Sequence, residues 1–348
     1  MKFMASMRRP EHPRHKIRIP PGGNMKLITK CASTLATALF CASALAAGYP
    51  NHPIKLIVPF PPGGGTDLIA RELAKTLSQQ NGWNIIVDNR AGAGGDIGVA
   101  AAAKAPPDGY TWVLGQTSNL AINPTLHKGL PYDPFKSFAP ISLVAESPLV
   151  MVAPKSAKYD NVAEFAKAVH TAPANSMNIG LPGIGTVAHL TTVLFERTAD
   201  IKVTNVPYKG ASDGLPALIG NQLQAYISSI PTLLGSIKAG QIKALGVTSQ
   251  SRVSVLPDVP TIDESGYKGF NATTWFGILV PAKTSSDICA ALNQAINKAV
   301  QDPAFVKQMQ AQGAATLGGS SADFTKRLHA DYDMWADLIK QAHITLAH

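Results

Sequence analysis

Short apolar runs alternate with helical periodicities along most of the chain. The first run, from Ile54 to Phe60, predicts a buried strand. Ile69, Leu73 and Leu77 then recur every four residues and predict a helix at 67–80. Further strands are predicted at 84–88 and 111–115, and a further helix at 95–104. This β-α-β-α-β order is typical of a parallel sheet flanked by helices.

The middle of the chain repeats the alternation. The predicted elements are helices near 161–171, 186–197, 214–220 and 231–239 and strands at 177–181, 203–207, 223–228 and 242–248. Two apolar extended stretches, 143–152 and 273–280, precede and follow this segment. We therefore expect the chain to cross into a second lobe at the first stretch and to return at the second.

Two amphipathic helices are predicted to finish the chain. The apolar face of the first carries Ile288, Leu292, Ile296 and Ala299, and that of the second carries Phe324, Leu328, Tyr332, Trp335 and Ile339. We expect the aromatic residues of the second helix to pack in the core.

The resulting fold class is α/β, with two lobes that are each a mostly parallel sheet flanked by helices. Residues 47–146 and 272–348 are expected to form the first lobe, and residues 147–271 to be inserted as the second. The two crossing stretches would form a hinge. Because ligands bind beyond the carboxyl ends of strands in open parallel sheets, we expect the ligand in the cleft between the lobes.

The first 46 residues have the pattern of an export signal. From Met25 the chain has Lys26 and Lys30, an apolar stretch at 31–45, and a small-residue cleavage site that ends at Ala46. The apolar part contains Ser and Thr and is shorter than the roughly 20 residues of a membrane span. We therefore predict cleavage near Ala46 and a periplasmic mature protein.

Most of the formal net charge of the chain lies in this leader. It holds eight Lys and Arg residues and one Glu, so it accounts for +7 of the formal net charge of +9. The remaining chain is nearly neutral, and nucleic-acid binding is not expected. Cys289 is the one cysteine after residue 46, and no His, Cys or carboxylate cluster has metal-ligand spacing. We predict neither a metal nor a cofactor.

Three glycines join the first strand to the first helix. Gly63, Gly64 and Gly65 allow a sharp turn with accessible N–H groups, and Thr66 or Asp67 is expected to cap the helix. The helix dipole adds partial positive charge at the same point. The junction therefore predicts a site that holds a carboxylate or phosphate through backbone amides.

A second junction of this kind follows about 120 residues later. Leu181 ends a strand, Gly183 and Gly185 form the turn, and a helix follows Thr186. His189 lies in the first turn of that helix, where it either faces the cleft or is a packed or exposed residue. Two such junctions suggest two lobes that close on one ligand.

A polar segment follows the strand that ends at Gly115. Thr117, Ser118 and Asn119 offer hydroxyl and amide donors that would complete a carboxylate site. The alternative is that these residues only cap a helix over 121–126.

One other glycine-rich segment has a weak signature of nucleotide binding. The loop at 90–96 resembles a dinucleotide fingerprint, but Ile97 stands where the third glycine is required. Neither loop at 63 or 183 ends in the Gly-Lys-Ser/Thr of a P-loop. We interpret 90–96 as a structural turn that borders the cleft.

The segment at 210–214 has the Gly-x-Ser-x-Gly pattern of a nucleophile elbow, between a strand and a helix. A secreted serine hydrolase that uses Ser212 is therefore the alternative function. It would also need a histidine, but His329 and His343 lie on the polar side of the last helix or just after it. We favour Ser212 or Asp213 as a helix cap at the cleft edge, with Asp213 as a partner for a cationic part of the ligand.

The motifs in chain order resemble the Bug, or TctC-like, receptors, which are the extracytoplasmic solute-binding proteins of tripartite tricarboxylate transporters. The matching motifs are PFPPGGGTD at 59–67, NRAGAGG at 89–95, PDGYT at 107–111, LPYDP at 130–134, GIGT at 183–186, PYKG at 207–210 and PDVPT at 257–261. The resemblance covers essentially all of residues 49–348.

The resemblance implies a two-lobed periplasmic binding protein fold, type II-like, that closes on a carboxylated metabolite. It also implies that one ligand carboxylate is held by the loops at 60–67 and 181–189, partly through ordered water. The opposite end of the ligand would be read by the loops at 116–119 and 208–213.

Taken with the resemblance, the residues predict a non-catalytic receptor. It would capture a small carboxylate and deliver it to the membrane permease of a tripartite transporter or to a sensor kinase, and we expect a monomer. The expected ligand-binding residues are Phe60, Pro62, Gly63, Gly64, Thr66, Asp67, Thr117, Ser118, Asn119, Leu181, Gly183, Gly185, Thr186, His189, Tyr208, Ser212 and Asp213.

Overall fold

The structure, a computed structural model, describes residues 48–208 and 213–345. The predicted leader and Ser212 lie outside the described residues. The strands are β1 (Ile54–Val58), β2 (Ile85–Asn89), β3 (Thr111–Gln116), β4 (Phe138–Pro154), β5 (Asn178–Leu181), β6 (Thr204–Pro207), β7 (Ala225–Ser229), β8 (Ile242–Val247), β9 (Thr273–Pro281) and β10 (Ala315–Thr316). The α-helices are α1 (Gly65–Asn81), α2 (Asp96–Ala103), α3 (Asn123–Leu126), α4 (Val162–Thr171), α5 (Val187–Thr198), α6 (Leu215–Ile219), α7 (Ile230–Lys238), α8 (Ser286–Val300), α9 (Pro303–Ala311) and α10 (Ser321–Gln341).

The first sheet has the order β2-β1-β3-β9-β4. Strands β1, β2 and β3 are parallel, so the loops that follow them emerge at the same edge of the sheet. Strand β9 runs antiparallel to both β3 and β4. The segments at 59–64, 90–95 and 117–122 therefore lie side by side beyond the carboxyl ends of the parallel strands.

The second sheet contains β5, β6, β7, β8 and the end of β4. Strand β5 is parallel to β6 and β7, so the glycine loop after Leu181 and the segment after Pro207 also share an edge. Strand β4 pairs with β9 from Phe138 to Pro148 and with β7 and β8 from Leu149 to Pro154. One continuous strand thus links the two sheets.

The predicted α/β class, with sheets flanked by helices, is confirmed. The strands that carry the glycine loops are parallel, and the crossing strands β4 and β9 are antiparallel to their neighbours. The predicted lobe boundaries fall within β4 and just before β9. They stay a prediction.

The end of the chain differs from the prediction of two closing helices. A third helix, α9, lies between α8 and α10 and is followed by the short strand β10. Asp302 caps α9 by accepting hydrogen bonds from the N–H groups of Ala304 and Phe305, and Pro303 occupies its first turn. An acidic cap before a proline is a helix-start signal that the sequence already contained.

The core includes large aromatic side chains from both ends of the chain. Trp112, Trp275, Phe324 and Trp335 are essentially inaccessible to solvent, which matches the prediction that the aromatic face of the last helix packs inward. Within residues 48–208 and 213–345, no helix combines the length and the apolar character needed to span a bilayer.

Candidate functional site

The glycine loop after β1 is held in place by Asp67. Its carboxylate accepts hydrogen bonds from the N–H of Gly63 at 2.9 Å, from Nε of Arg71 at 2.8 Å and from Nδ2 of Asn89 at 2.9 Å. Asn89 Nδ2 also donates to the carbonyl of Phe60 at 3.1 Å. Asp67 thus ties the loop to the end of β2.

The expected cap of α1 by Thr66 or Asp67 is wrong. Gly64 is the N-cap residue and makes no side-chain cap hydrogen bond. Asp67 lies in the first turn and binds backward to Gly63 instead. The N–H groups in the first turn of α1 have no acceptor within the helix, because the first four N–H groups of any α-helix lack one.

Asp67 is only 2% exposed. Burial alone would raise the pKa of its carboxyl, but the hydrogen bonds from Arg71, Gly63 and Asn89 outweigh burial and lower the pKa below its ordinary value. Asp67 is therefore ionised at neutral pH, and its charge is used within the loop.

Three polar side chains connect the helix start with the end of β3. Thr66 Oγ1 donates to Oε1 of Gln116 at 3.0 Å, and Nε2 of Gln116 donates to Oγ of Ser118 at 2.8 Å. All three side chains are at least nine-tenths buried. Gln116, which was absent from the predicted ligand-binding residues, therefore joins the two loops.

Residues Thr117 and Asn119 fix the remainder of this segment. Thr117 Oγ1 accepts a hydrogen bond from the N–H of Trp275 in β9 at 3.0 Å. Oδ1 of Asn119 accepts one from the N–H of Gln116 at 3.1 Å. Residues Ser118–Ile122 form a π-helical turn that runs directly into α3.

The loop after β2 packs against the same segment. Gly95 has φ of 102°, and a Cβ added to it would lie 2.7 Å from Nδ2 of Asn119 and 3.1 Å from Cζ of Phe60. Only a glycine fits this left-handed backbone between two side chains. The loop at 90–96 therefore borders predicted site residues.

A buried carboxylate follows this loop. Asp96, at the start of α2, accepts hydrogen bonds from Asn123 at 2.7 Å and from the Tyr132 hydroxyl at 2.7 Å, and it lies 2.5 Å from Nδ1 of His127. The Tyr132 hydroxyl is also 2.5 Å from the carbonyl of Asn119. Sequence reasoning did not single out Asp96, which ends the glycine-rich loop at 90–96, or Asn123, which follows the polar segment at 117–119.

The second glycine loop has a local cap. Thr186 is the N-cap residue of α5 and accepts from the N–H of His189 at 3.3 Å, while its hydroxyl donates to the carbonyl of Gly183 at 2.8 Å. The N–H of Gly185 donates to Nδ1 of His189 at 3.3 Å. Burial lowers the pKa of His189. Because Nδ1 accepts a hydrogen bond, the neutral ring carries its proton on Nε2.

Residues Tyr208 and Asp213 flank the undescribed segment 209–212. A Cβ on Gly183 would lie 3.7 Å from the carbonyl of Tyr208, which places Tyr208 beside the second glycine loop. Asp213 is exposed. The expected cap of α6 by Asp213 is wrong, because Gly214 is the N-cap residue and has no side-chain cap.

The second glycine loop contacts the first sheet's loop cluster. A Cβ added to Gly185 would lie 3.3 Å from Cδ1 of Leu126 and 3.9 Å from Oδ1 of Asn123. Asn123 also donates to the carbonyl of Gly94. The loops at 92–96, 116–123 and 183–189 therefore meet, and the loop at 60–67 joins them through Phe60 and Thr66.

A groove of about 1050 Å³ lies nearby but contains none of the predicted ligand-binding residues. Its walls include Asp96, Lys104 and His127. Among the residues that the structure describes, no group of three His, Cys, Asp or Glu side chains is placed to hold a metal ion.

A family model described as "Tripartite tricarboxylate transporter family receptor" (TctC) matches residues 69–344. The chain belongs to this family. Protein BugT of Bordetella pertussis is 37% identical to the receptor over 318 residues, which cover 91% of this chain and 97% of BugT. The predicted resemblance to Bug and TctC-like receptors is thus confirmed.

Two solved structures are similar to the receptor along most of its length. The periplasmic binding protein BugD is 33% identical, with a TM-score of 0.76, and the match covers 85% of this chain and 99% of BugD. R. palustris Rpa4515, solved with adipate, is 31% identical, with a TM-score of 0.79 and coverage of 85% and 99%. The chain has the fold of a TctC-type periplasmic binding protein.

Family membership also decides between receptor and enzyme. The family consists of solute-binding receptors, so the prediction of a non-catalytic protein is confirmed, and no finding supports a serine hydrolase. His329 is one of the two histidines that such a hydrolase could use. Its ring stacks on that of Phe135, with the ring centroids 4.3 Å apart.

Proposed function

We propose that the receptor binds a small carboxylate where the loops at 60–67, 92–96, 116–123 and 181–189 meet. The observation that carries this proposal is the position of Gly185, where an added Cβ would lie 3.3 Å from Cδ1 of Leu126 and 3.9 Å from Oδ1 of Asn123. It brings the start of α5, from the second sheet, to the loop cluster of the first sheet. An anion bound at this junction would contact loops that follow strands of both sheets.

The chemistry of the junction favours an anion. The first turns of α1 and α5 supply N–H groups that lack intrahelical acceptors, and both helix dipoles place partial positive charge there. Ser118, whose hydroxyl oxygen accepts from Gln116, and the Nε2–H of neutral His189 add uncharged donors that bind oxygen. The adipate bound by Rpa4515 supports a carboxylate as the ligand.

We propose that the ligand-binding residues are those predicted from the sequence, with roles that differ. Phe60, Pro62, Gly64, Thr66, Ser118, Leu181, Gly183, Gly185, Thr186, His189 and Tyr208 would line the ligand. Asp67, Thr117, Asn119 and the N–H of Gly63 would position the loops, because they are engaged with Arg71, Trp275, Gln116 and one another. Ser212 and Asp213 would lie at the edge of the site.

The receptor is proposed to open and close about β4 and β9. Residues 47–146 and 272–348 would move as one lobe, and residues 147–271 as the other. Strand β4 changes partners from β9 to β7 between Pro148 and Leu149, which is where a bend would leave both sheets intact. Opening would separate Gly185 from Leu126 and release the ligand.

We propose that residues 1–46 are removed on export and that the mature receptor works in the periplasm as a monomer. It would hand its ligand to the membrane subunits of a tripartite transporter, and a sensor kinase is the second candidate partner. The intact mass of protein recovered from the periplasm checks the first point, since uncleaved residues 1–46 would contradict it.

Thermal unfolding with a ligand panel tests the proposed function. Dicarboxylates, tricarboxylates, amino acids and aromatic acids are added to receptor that was unfolded and refolded to remove bound ligand. A ligand that binds only the folded state stabilises it by roughly 2.7 kcal/mol at a hundredfold excess over its Kd. We expect a marked rise in the unfolding midpoint with one class of carboxylate.

The matching uncharged amides serve as controls for this panel. They have nearly the same shape as the acids but lack the negative charge, so they should leave the midpoint unchanged. Equal shifts with acids and amides, or no shift with any compound, would contradict carboxylate binding.

A further inference from the structure

The groove beside the loop cluster has apolar walls. It has a volume of about 1050 Å³ and lies between α2, the segment 125–131 and Ile344. Its apolar side chains include Ile97, Ala100, Ala101, Leu126 and Leu130. Ile97 is 55% exposed, so part of this apolar surface is open to solvent and accessible to a partner.

Two lysines of the groove lack a counter-ion. Lys104 and Lys128 line the groove, are exposed, and form no ion pair within residues 48–208 and 213–345. Asp96 is the one carboxylate among the described lining residues, and its oxygens are already bound by neighbouring side chains. Apolar walls with two unpaired positive charges complement a segment that carries both apolar and acidic side chains.

One wall of the groove adjoins the second glycine loop. Leu126 lines the groove, and a Cβ added to Gly185 would lie 3.3 Å from its Cδ1. Ile184, the residue before Gly185, is 43% exposed, so a second exposed apolar residue lies next to this wall. In the proposed opening motion Gly185 separates from Leu126. We therefore expect the apolar surface to be continuous only when the lobes are closed.

The shape and charge of the groove favour a protein segment over a lipid surface. A bilayer is broad and cannot enter a concave groove, whereas a helix or an extended segment can place apolar side chains between its walls. Two lysines are also fewer than the clusters of about four to eight basic residues that bind anionic lipids.

We infer that this groove docks an acidic, apolar segment of a membrane subunit of the transporter, and that the closed, ligand-loaded receptor binds this segment most tightly. The inference rests on the proposed function, which supplies both the partner and the closing motion. It assigns Ile97, Lys104 and Lys128 to recognition of the partner and not of the ligand. Ligand affinity and ligand delivery are therefore separable by substitution.

Uptake by intact cells tests the docking role. A strain without the receptor gene expresses each variant and is given, in radiolabelled form, the carboxylate that raises the unfolding midpoint in the panel. Lys104→Glu/Lys128→Glu reverses both charges, so we expect uptake to fall about 10-fold or more. Because neither lysine belongs to the proposed ligand site, calorimetry should give a Kd within about twofold of the parent.

Two further variants separate charge from apolar contact. Lys104→Arg/Lys128→Arg keeps both charges and should keep uptake within about twofold of the parent. Ile97→Ser removes the exposed apolar side chain, and we expect about 3- to 10-fold slower uptake at an unchanged Kd. If the double reversal does not fold, Lys104→Ala and Lys128→Ala take its place, since single changes at exposed positions are well tolerated.

The matched control is Lys283→Glu/Lys307→Glu, which reverses two exposed lysines that do not line the groove. It should keep both uptake and Kd within about twofold of the parent. Circular dichroism and the unfolding midpoint identify the variants that fold.

Binding to bilayer nanodiscs shows what occupies the groove. Ligand-free and ligand-loaded receptor are added to nanodiscs that hold the membrane subunits and to empty nanodiscs of the same anionic lipids. We expect binding only where the subunits are present, about 10-fold tighter with ligand and lost in Lys104→Glu/Lys128→Glu. Equal binding to empty nanodiscs would make the occupant a lipid surface and overturn the inference.

Three results in cells overturn the inference and leave ligand binding standing. They are uptake by folded Lys104→Glu/Lys128→Glu within about twofold of Lys283→Glu/Lys307→Glu, a loss of ligand affinity as large as the loss of uptake, and unchanged uptake without the receptor gene. Absence of binding of every carboxylate by the parent instead contradicts the proposed function itself.

Discussion

Replacement of Gly95 by alanine is expected to abolish ligand binding and to destabilise the receptor. The residue has φ of 102°, and the added Cβ would lie 2.7 Å from Nδ2 of Asn119 and 3.1 Å from Cζ of Phe60. The unfavourable backbone conformation and the steric overlap together should cost about 2–4 kcal/mol. Denaturant unfolding and calorimetry measure the two effects.

Gly82→Ala is the matched control for this substitution. Gly82 ends α1 with φ of 69°, but a Cβ there would have no atom within 4 Å. It should therefore lose about 1 kcal/mol from the backbone alone and keep the parent's affinity. If Gly95→Ala binds as tightly as Gly82→Ala, the corner formed by Phe60, Gly95 and Asn119 is not part of the site.

Removal of the Asp67 carboxylate is expected to have the second large effect. Asp67→Ala leaves the N–H of Gly63, the amide of Asn89 and the guanidinium of Arg71 without their common acceptor. We expect a loss of about 2–3 kcal/mol in the free energy of unfolding. Asp88→Ala removes a partly exposed pair with Arg90 and should cost less than about 1 kcal/mol.

The loss of stability caused by Asp67→Ala should become smaller as the pH falls. The pKa of Asp67 is lower in the folded protein than its ordinary value of 3.8, so the unfolded chain takes up a proton first as the pH falls. The carboxylate therefore stabilises the fold fully above that value, and its contribution is lost as the pH falls through the lowered pKa. A difference between parent and variant that grows on acidification would contradict this account.

The sequence predicted most of the fold because the signals were local. Alternating apolar runs located the strands of both sheets, and the glycine turns after Phe60 and Leu181 located the loops. The helix at Pro303–Ala311 was missed because its nine residues bury few apolar side chains, chiefly Phe305 and Met309. A weak apolar face gives little periodic signal, and only the Asp302-Pro303 start remained to identify it.

The contacts that assemble the candidate site were harder to predict. Gln116 bridges Thr66 and Ser118 across 50 residues of sequence, and Asp96 gathers Asn123, His127 and Tyr132 from a separate segment. Such partners depend on which strands become neighbours and on side-chain rotamers. No sequence spacing specifies either, whereas the glycine loops at 63–65 and 183–185 needed only their own residues.

A crystal structure of the receptor with its tightest carboxylate from the panel would show whether both glycine loops bind the ligand. We expect a ligand carboxylate within about 3 Å of N–H groups in the first turns of both α1 and α5, directly or through one water. A ligand bound instead in the groove beside Lys104 and His127, or contacting only one of the two glycine loops, would contradict it.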